Sequence, residues 1–176
     1  MIGEYNFFII FVLCMMKKCF LILAVLVCVA CSSLTPAEKA ERAARQAALV
    51  EKALADRHYT INVQMIYPQR GPAKNVTSNY SLEVKGDTLI SYLPYFGRAY
   101  NVPYGGGKGL NFTEIIGNYY ESKNAKGQTE VAIEVKNEED TYLYQLSIFD
   151  NGNATIDVRS KEREPITYSG EMEIEE

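Results

Sequence analysis

Residues 131–158 read VAIEVKNEEDTYLYQLSIFDNGNATIDV, and this stretch decides the fold. Apolar and polar side chains alternate along it, and two turn-forming segments divide the alternation into successive runs. Alternation with a period of two predicts strands that bury one face and leave the other in water. We therefore expect consecutive antiparallel strands joined by tight turns.

The two turns in this stretch fix how the strands align. A two-residue turn at Glu138-Glu139 places Ile133 opposite Tyr144. For the second turn, a two-residue Asn-Gly connection would set an apolar side chain against an aspartate. A three-residue loop over 150–152, with a left-handed glycine, instead sets Leu146 against Ile156. We predict the three-residue form.

The alternation begins near residue 59 and continues to the end of the chain. The predicted strands are 59–67, 78–84, 88–93, 112–122, 128–136, 141–149, 153–159 and 165–174. One apolar face runs through them, formed by Met65, Leu82, Leu89, Ile116, Tyr120, Ile133, Tyr144, Leu146, Ile156, Val158, Ile166 and Met172. The predicted fold is α+β and mainly β: an N-terminal helix, then an eight-stranded antiparallel meander curled into a barrel or half-barrel, lipocalin-like in outline.

A helix precedes the strands. Thr35-Pro36-Ala37-Glu38 has the form of a capping box, with proline at the first helical position, and the helix should run to about Arg57. Its apolar stripe is narrow and starts with alanines before it reaches Val50 and Leu54. We expect the first half to be a tether and the second half to dock on the strands. The alternative is a helix that binds a partner.

The N-terminal segment resembles a secretion signal. Residues 7–30 are almost entirely apolar, but Lys17-Lys18 interrupts them. In a membrane span this pair would cost about 2.5–3.5 kcal/mol per charge. A signal that starts at Met15 or Met16 has the lysines as its basic region and residues 19–29 as its apolar region. Residues 1–14 are then an upstream extension.

The signal ends in a small residue followed at once by cysteine, Ala30-Cys31, which resembles a bacterial lipoprotein box. The resemblance implies cleavage before Cys31 and its acylation, which anchors the protein to a membrane. The alternative is an ordinary secreted protein. The domains are then residues 1–30 (extension and signal), 31–57 (lipid anchor and tether helix) and 58–176 (β-domain). Residues 32–35 carry no acidic run, which favours the cell envelope, at the outer membrane and facing the periplasm.

Charge and composition exclude several kinds of protein. The chain has 18 basic and 22 acidic residues, and loss of residues 1–30 leaves a net charge of −5. Nucleic-acid binding requires clustered positive charge, so we expect no nucleic-acid partner. All four cysteines lie in the first 31 residues, and the chain has a single histidine, His58. We therefore expect no disulfide in the mature body, no metal, no cofactor and no catalytic residues.

The connection over residues 93–110 does not fit the pattern of short turns. It holds five of the twelve glycines, two prolines, several aromatic side chains and two cations. Long loops in small domains are often functional. Aromatic faces, positive charge and exposed amides would suit ligand capture. The candidate ligand-binding residues are Tyr95, Phe96, Arg98, Tyr100, Tyr104 and Lys108.

This loop has two other interpretations. A phosphate loop is rejected, because the first glycine of the motif is missing and no serine or threonine follows Lys108. A structural role stays open. In that case Gly97 lets the chain cross a barrel end, Phe96 and Tyr100 plug the end, and Arg98 bonds to loop carbonyls.

The same loop carries a family resemblance. Leu93-Pro94-Tyr95-Phe96-Gly97-Arg98-Ala99-Tyr100, Pro103-Tyr104-Gly105-Gly106-Gly107 and Gly109-Leu110-Asn111-Phe112 follow a lipoprotein signal and a helix. In this order they resemble an envelope lipoprotein family known as domain of unknown function 4251. The resemblance implies an envelope location and covers nearly all of the mature chain. It implies no chemistry or ligand.

These observations leave two main hypotheses for function. The first is a non-enzymatic envelope lipoprotein that binds a small molecule, glycan or peptide at the loop 94–110. The second is an interaction module that docks on another envelope protein through the helix or a sheet edge. A hydrolase has no nucleophile–base pair to support it.

Overall fold

The computed structural model describes residues 35–101, 109–124 and 127–173. Helix α1 spans Pro36–Ala55. The strands are β1 (His58–Pro68), β2 (Lys74–Asn75), β3 (Ser81–Lys85), β4 (Thr88–Leu93), β5 (Leu110–Lys123), β6 (Thr129–Lys136), β7 (Thr141–Ile148), β8 (Asn153–Ser160) and β9 (Ile166–Glu173).

Eight of these strands form a closed barrel. Strands β1 and β3 to β9 each pair antiparallel with the next in that order, and β9 pairs back with β1. Closure removes the sheet edges that an open meander would leave. The two-residue strand β2 adds to β1 as an extra strand. The predicted fold class is confirmed, and the barrel is closed.

The turns set the registers predicted from the sequence. Ile133 lies opposite Tyr144, and Leu146 lies opposite Ile156. Gly152 adopts a φ of 84°, and its amide donates to the carbonyl of Phe149 at 2.9 Å. The three-residue loop over 150–152 is therefore confirmed. A side chain at position 152 would be strained in this left-handed conformation.

The prediction that Met65 and Tyr120 belong to the apolar face was wrong. In β1 the register shifts between Val63 and Met65, so that Ile66 is buried in place of Met65. In β5 it shifts between Ile116 and Asn118, so that Tyr119 packs on the core and Tyr120 is 69% exposed. Each bulge inserts one residue and moves every later side chain to the opposite face.

The interior of the barrel is packed with side chains. Ile61, Leu82, Leu89 and Ile133 have no accessible surface, and the large rings of the interior are equally buried. A cavity that could hold a ligand would leave its lining side chains accessible to a water-sized sphere. The fully buried rings are Tyr142, Tyr144 and Tyr168.

The second half of α1 closes one end of the barrel. Val50 and Leu54 are buried in the core, whereas Ala43 is exposed. The side-chain amide of Gln46 donates to the carbonyl of Asn151, in the turn between β7 and β8, at 2.7 Å. The predicted docking of the second half of the helix is confirmed. We call this end of the barrel the helix end.

The first turn of α1 lies in a separate compact unit, residues 1–41, of which the structure describes residues 35–41. The Thr35 amide donates to the Glu38 carboxylate at 2.8 Å, and the Glu38 amide approaches the Thr35 hydroxyl at 3.3 Å. Because the Glu38 carboxylate accepts a hydrogen bond from the Thr35 amide, the pKa of Glu38 is lowered. The predicted capping box is confirmed.

Candidate functional site

The loop after β4 is fixed to the connection between β8 and β9, at the end of the barrel opposite α1. The amide of Tyr100 donates to the carbonyl of Glu162 at 2.7 Å, and the amide of Glu164 donates to the carbonyl of Arg98 at 3.0 Å. Ala99 and Arg163 form a β-bridge between these two contacts. We call this end, with residues 94–101 and 161–165, the loop end.

Tyr95 faces inward and holds the loop in place. Its hydroxyl lies 2.9 Å from the carbonyl oxygen of Arg98 and 3.0 Å from that of Glu164, so its one hydrogen is shared between them. Burial raises the pKa of Tyr95. A Cβ at Gly97 would lie 2.5 Å from this hydroxyl, which explains the glycine. Tyr168 adds a bond, because its hydroxyl donates to the carbonyl of Pro94 at 2.8 Å.

The other described candidate residues of the loop point outward. Phe96, Arg98 and Tyr100 are exposed, and the Lys74 ammonium lies 3.9 Å from the centre of the Phe96 ring. The loop therefore covers the barrel end, but Phe96 and Tyr100 do not plug it. The side-chain hydrogen bonds to loop carbonyls come from Tyr95 and Tyr168, and the Arg98 side chain makes none with the described residues. Tyr104, Lys108 and Cys31 lie outside the described residues.

Buried charged side chains also hold the loop in place. The Glu164 side chain, only 3% exposed, accepts the Arg98 amide at 3.1 Å and pairs with the Arg70 guanidinium at 3.2 Å. The Arg163 guanidinium lies 2.9 Å from the Glu139 carboxylate, and both side chains are largely buried. Because each buried charge has a counter-charge, the arrangement avoids the cost of isolated ions in the protein. Sequence reasoning missed this network, since ordinary charged residues in a turn give no signal of burial.

Strand β5 carries an unusual edge beside the turn that joins β6 to β7. In antiparallel pairs, alternate residues direct their backbone groups toward and away from the neighbouring strand. The amide of Ile116 donates to the carbonyl of Asp87, which leads into β4, at 2.8 Å. The N–H and C=O groups of Asn111, Thr113 and Ile115 therefore point away from β4.

On that side, β6 pairs with β5 only from Ile116 onward, beginning opposite Val135. Over residues 35–101, 109–124 and 127–173, no strand pairs with residues 110–115 on the side away from β4. We call residues 110–115 the open half of β5 and residues 116–123 its paired half. The barrel is closed through the paired half, and the open half presents an edge.

A groove of about 520 Å³ lies between the open half and the turn that joins β6 to β7. The Phe112 ring lies 5.0 Å from the ring centre of Tyr142 and 6.4 Å from that of Tyr144. Phe112 thus fills the barrel wall where β6 is absent. The groove is lined by Phe112, Glu114, Lys136, Asn137, Glu138 and Glu139.

Tyr142 contributes an unusual polar atom behind Phe112. Its hydroxyl is buried and has no hydrogen-bond partner among the residues that the structure describes. Burial raises the pKa of Tyr142, and the nearby Arg163 cation opposes part of this rise. The charged side chains of Arg163, Glu139 and Asp140 lie near this hydroxyl, so its surroundings are partly polar.

The outward face of the open half carries no charge. Asn111, Thr113 and Ile115 are exposed, and the Ile115 side chain is 75% exposed. Sequence reasoning named a sheet edge in general but did not place it here. The available signals were the length of β5, 14 residues against 6 in β4 and 8 in β6, and Gly117 at the bulge.

The helix end offers a second groove, of about 710 Å³, which includes His58. His58 is exposed, and its side chain has no hydrogen bond or ion pair with any described residue. Asp56, Glu83 and Glu173 also line this groove, together with lysines. Within the described part of the chain, no three potential ligand side chains are placed to hold a metal ion.

The fold and the loop end define the class as a small closed antiparallel β-barrel with an N-terminal helix. The family described as "Domain of unknown function (DUF4251)" matches residues 41–172. The chain belongs to this family, as its sequence motifs indicated.

A solved structure has a similar fold. It is the crystal structure of a DUF4251 family protein from Bacteroides eggerthii, with a TM-score of 0.55 and 17% sequence identity. The similarity covers 73% of this chain and 87% of that one. A search of curated proteins found no match. Among the described residues, no helix has both the length and the apolar character needed to cross a membrane.

Proposed function

We propose that this protein is a cell-envelope lipoprotein whose barrel docks on another envelope protein through the open half of β5. The observation that carries the proposal is a row of outward backbone groups, at Asn111, Thr113 and Ile115, without a strand partner among the described residues. Such an edge accepts an extended segment through main-chain hydrogen bonds, which is the basis of β-strand addition.

The side chains of the open half support this role. Proteins protect exposed edges with outward or inward-facing charges, prolines or very short strands, because free edges promote association. In the open half the one charge is Glu114, which faces the groove. The outward residues Asn111, Thr113 and Ile115 include no charge and no proline, and Ile115 is largely exposed. An edge left in this state suits a strand that has a partner.

The packed interior supports docking over binding inside the barrel. Lipocalin-like barrels hold ligands in a hollow interior. Here the interior is occupied by buried rings and aliphatic side chains, including Tyr144, Tyr168 and Leu89. A ligand inside would have to displace a close-packed core. A surface site is therefore the better proposal.

The outer face of the loop 94–101 is the second candidate site. Phe96, Arg98 and Tyr100 are exposed there, and Lys74 and Arg70 add positive charge nearby. Aromatic faces with cations suit an anionic or glycan ligand. The Arg98→Ala substitution should weaken binding of such a ligand without lowering thermal stability. A ligand screen that is unchanged by this substitution would remove the candidate.

The envelope location rests on the cysteine that follows the apolar segment of the signal. Acylation of Cys31 would anchor the chain, since each buried methylene contributes about 0.8 kcal/mol. We expect labelled palmitate to be incorporated in the native host, and Cys31→Ser to abolish labelling and move the protein to the soluble fraction. A labelled Cys31→Ser protein would contradict the proposal.

Photocrosslinking in the native host tests the docking edge. A photoreactive phenylalanine analogue replaces Ile115 in the open half or, as the control, Tyr120 in the paired half; these side chains are 75% and 69% exposed. We expect a discrete adduct with one envelope protein from position 115 and none from position 120. Thr113→Pro, which removes an outward N–H, should abolish the adduct. Equal adducts at both positions, or none, would contradict docking through the edge.

A further inference from the structure

We infer that the segment docking on the open half of β5 is an extended peptide with an apolar side chain and a lysine or arginine two residues apart, both facing the groove. This inference rests on the proposed docking function and specifies the chemistry of the partner. It follows from the side chains that an added strand would meet, Phe112 and Glu114.

The side chains of an added strand would alternate between the groove side and the outer side. Side chains of neighbouring strands meet on the same face, about 4.5–5.5 Å apart at Cβ for directly opposite residues. Phe112 and Glu114 lie on the groove side of β5, whereas Thr113 lies on the outer side. Alternate residues of the partner would therefore face the groove, one beside Phe112 and the next beside Glu114.

The charge of the groove favours a cation beside Glu114. Three carboxylates, Glu114, Glu138 and Glu139, line it against Lys136, and the Arg163 guanidinium is engaged with Glu139. Within the described part of the chain, Glu114 and Glu138 form no ion pair or hydrogen bond through their side chains. Opposite charges across a strand pair are stabilising and like charges are destabilising.

The other position favours an apolar side chain. Phe112 is partly buried, and its ring packs on Tyr142 and Tyr144 from the groove side. A valine or leucine of the partner beside this ring would bury apolar surface that is now in water. A charged residue there would be desolvated without a counter-charge.

A second copy of this chain fits the edge less well. Antiparallel pairing of two copies about Thr113 would place Glu114 of each copy against Phe112 of the other. Each carboxylate would then lose water without gaining a cation. An inward-facing charge of this kind is a recognised protection against pairing between identical edges.

Synthetic peptides test the inference on the mature lipoprotein in detergent. The probe is a fluorescent seven-residue peptide with the sequence threonine-valine-threonine-lysine-threonine-valine-threonine. Because this sequence reads the same in both directions, the peptide presents the same side chains in parallel and antiparallel docking. The comparison peptide has glutamate in place of lysine. We expect the lysine peptide to bind roughly tenfold more tightly or better, by fluorescence anisotropy.

A charge reversal in the protein completes the test. Glu114→Lys should reverse the preference, so that the glutamate peptide binds more tightly. The matched control, Glu171→Lys, makes the same charge change on β9 and should leave the preference unchanged. Two further lysine peptides carry N-methyl groups either on the threonine amides or on the valine and lysine amides. At least one of the two should not bind, because strand addition in either direction needs one of these alternate sets of N–H groups.

The outcomes separate this inference from the proposed function. Equal affinity for the two peptides, or a preference that Glu114→Lys does not reverse, would overturn the inference and leave the crosslinking result untouched. Unweakened binding of both N-methylated peptides would show charge attraction without strand addition and would also overturn it. Self-association that competes with the peptide would identify a second copy as the occupant.

Discussion

The two ends of the barrel are closed by different kinds of contact. At the helix end, Val50 and Leu54 of α1 enter the core and are at most 3% exposed. At the loop end, residues 94–101 are held by main-chain hydrogen bonds, by Tyr95 and by the buried charges of Arg163 and Glu164. One closure is apolar, and the other is polar.

This difference indicates what each end does. Apolar burial is non-directional, so the helix contributes stability without fixing the positions of surface groups. Hydrogen bonds and ion pairs depend on distance and angle, so the loop end holds its backbone in a defined geometry. The outward side chains of Phe96 and Arg98 lie at this end, and the groove beside the open half of β5 reaches it through Glu139, which pairs with Arg163. Recognition requires such fixed positions.

The largest effect expected from a single substitution is at the helix end. Leu54→Ala should lower the free energy of unfolding by about 3 kcal/mol, because it removes buried methyl groups and leaves a cavity. Guanidinium unfolding of the protein measures this change. Leu49→Ala, on the half-buried flank of the same helix, should cost clearly less. Equal costs would show that the helix end is not closed by a specific apolar contact.

At the loop end, Arg163→Met should cost about 2 kcal/mol. The substitution removes the cation 2.9 Å from Glu139 and 5.4 Å from the centre of the Tyr95 ring. Arg98→Met, whose side chain is exposed, should change stability by less than about 0.5 kcal/mol. Thermal unfolding of the two variants compares them. Equal losses would show that the polar closure does not depend on the buried guanidinium.

Alkaline pH should weaken both ends through their tyrosines. Burial raises the pKa of Tyr144 and Tyr168 near the loop end and that of Tyr59 near the helix end. The unfolded chain ionises first, near pH 10, so stability is complete below that pH and is lost above it. The loss should reach roughly 1.4 kcal/mol per tyrosine one unit higher. Guanidinium midpoints that are the same at pH 8 and pH 11 would contradict this.

The smallest expected change in stability comes from removing one of two buried tyrosine hydroxyls. Tyr168→Phe removes the bond to the Pro94 carbonyl and should cost about 1 kcal/mol. Tyr142→Phe removes a hydroxyl without a partner among the described residues and should leave stability unchanged or raise it slightly. Paired unfolding curves give the comparison. A larger loss for Tyr142→Phe would show that its hydroxyl has an important contact.

Much of the fold could be predicted because its signals are local. Alternation identified the strands, and the turn at residues 150–152 placed Leu146 opposite Ile156. The bulges could not be predicted, because an extra residue in β1 or β5 depends on the strand opposite it. Gly170 illustrates this: a Cβ there would overlap the carbonyl oxygen of Asn62, beside the bulge in β1.

The candidate site was predicted only in part. The loop stood out by its glycines and aromatic residues, and its position across a barrel end was among the predicted alternatives. Which side chains face inward was not predictable, because Tyr95 and Phe96 are adjacent and chemically alike. Their roles are separated by the carbonyls of Arg98 and Glu164, which only the tertiary structure brings near Tyr95.

The sequence by itself determined the capped helix, the eight barrel strands, their order and the registers of the short hairpins, but not the two-residue strand β2. These depend on contacts between residues close along the chain, where turn geometry and side-chain alternation act directly. Tertiary structure decided the closure, in which Pro68 pairs with Ile166, and the point where β6 separates from β5. The open edge exists because the strands of a curved sheet must pair with neighbours that are distant along the chain. A local sequence pattern carries no information about the residue at which such a pairing ends.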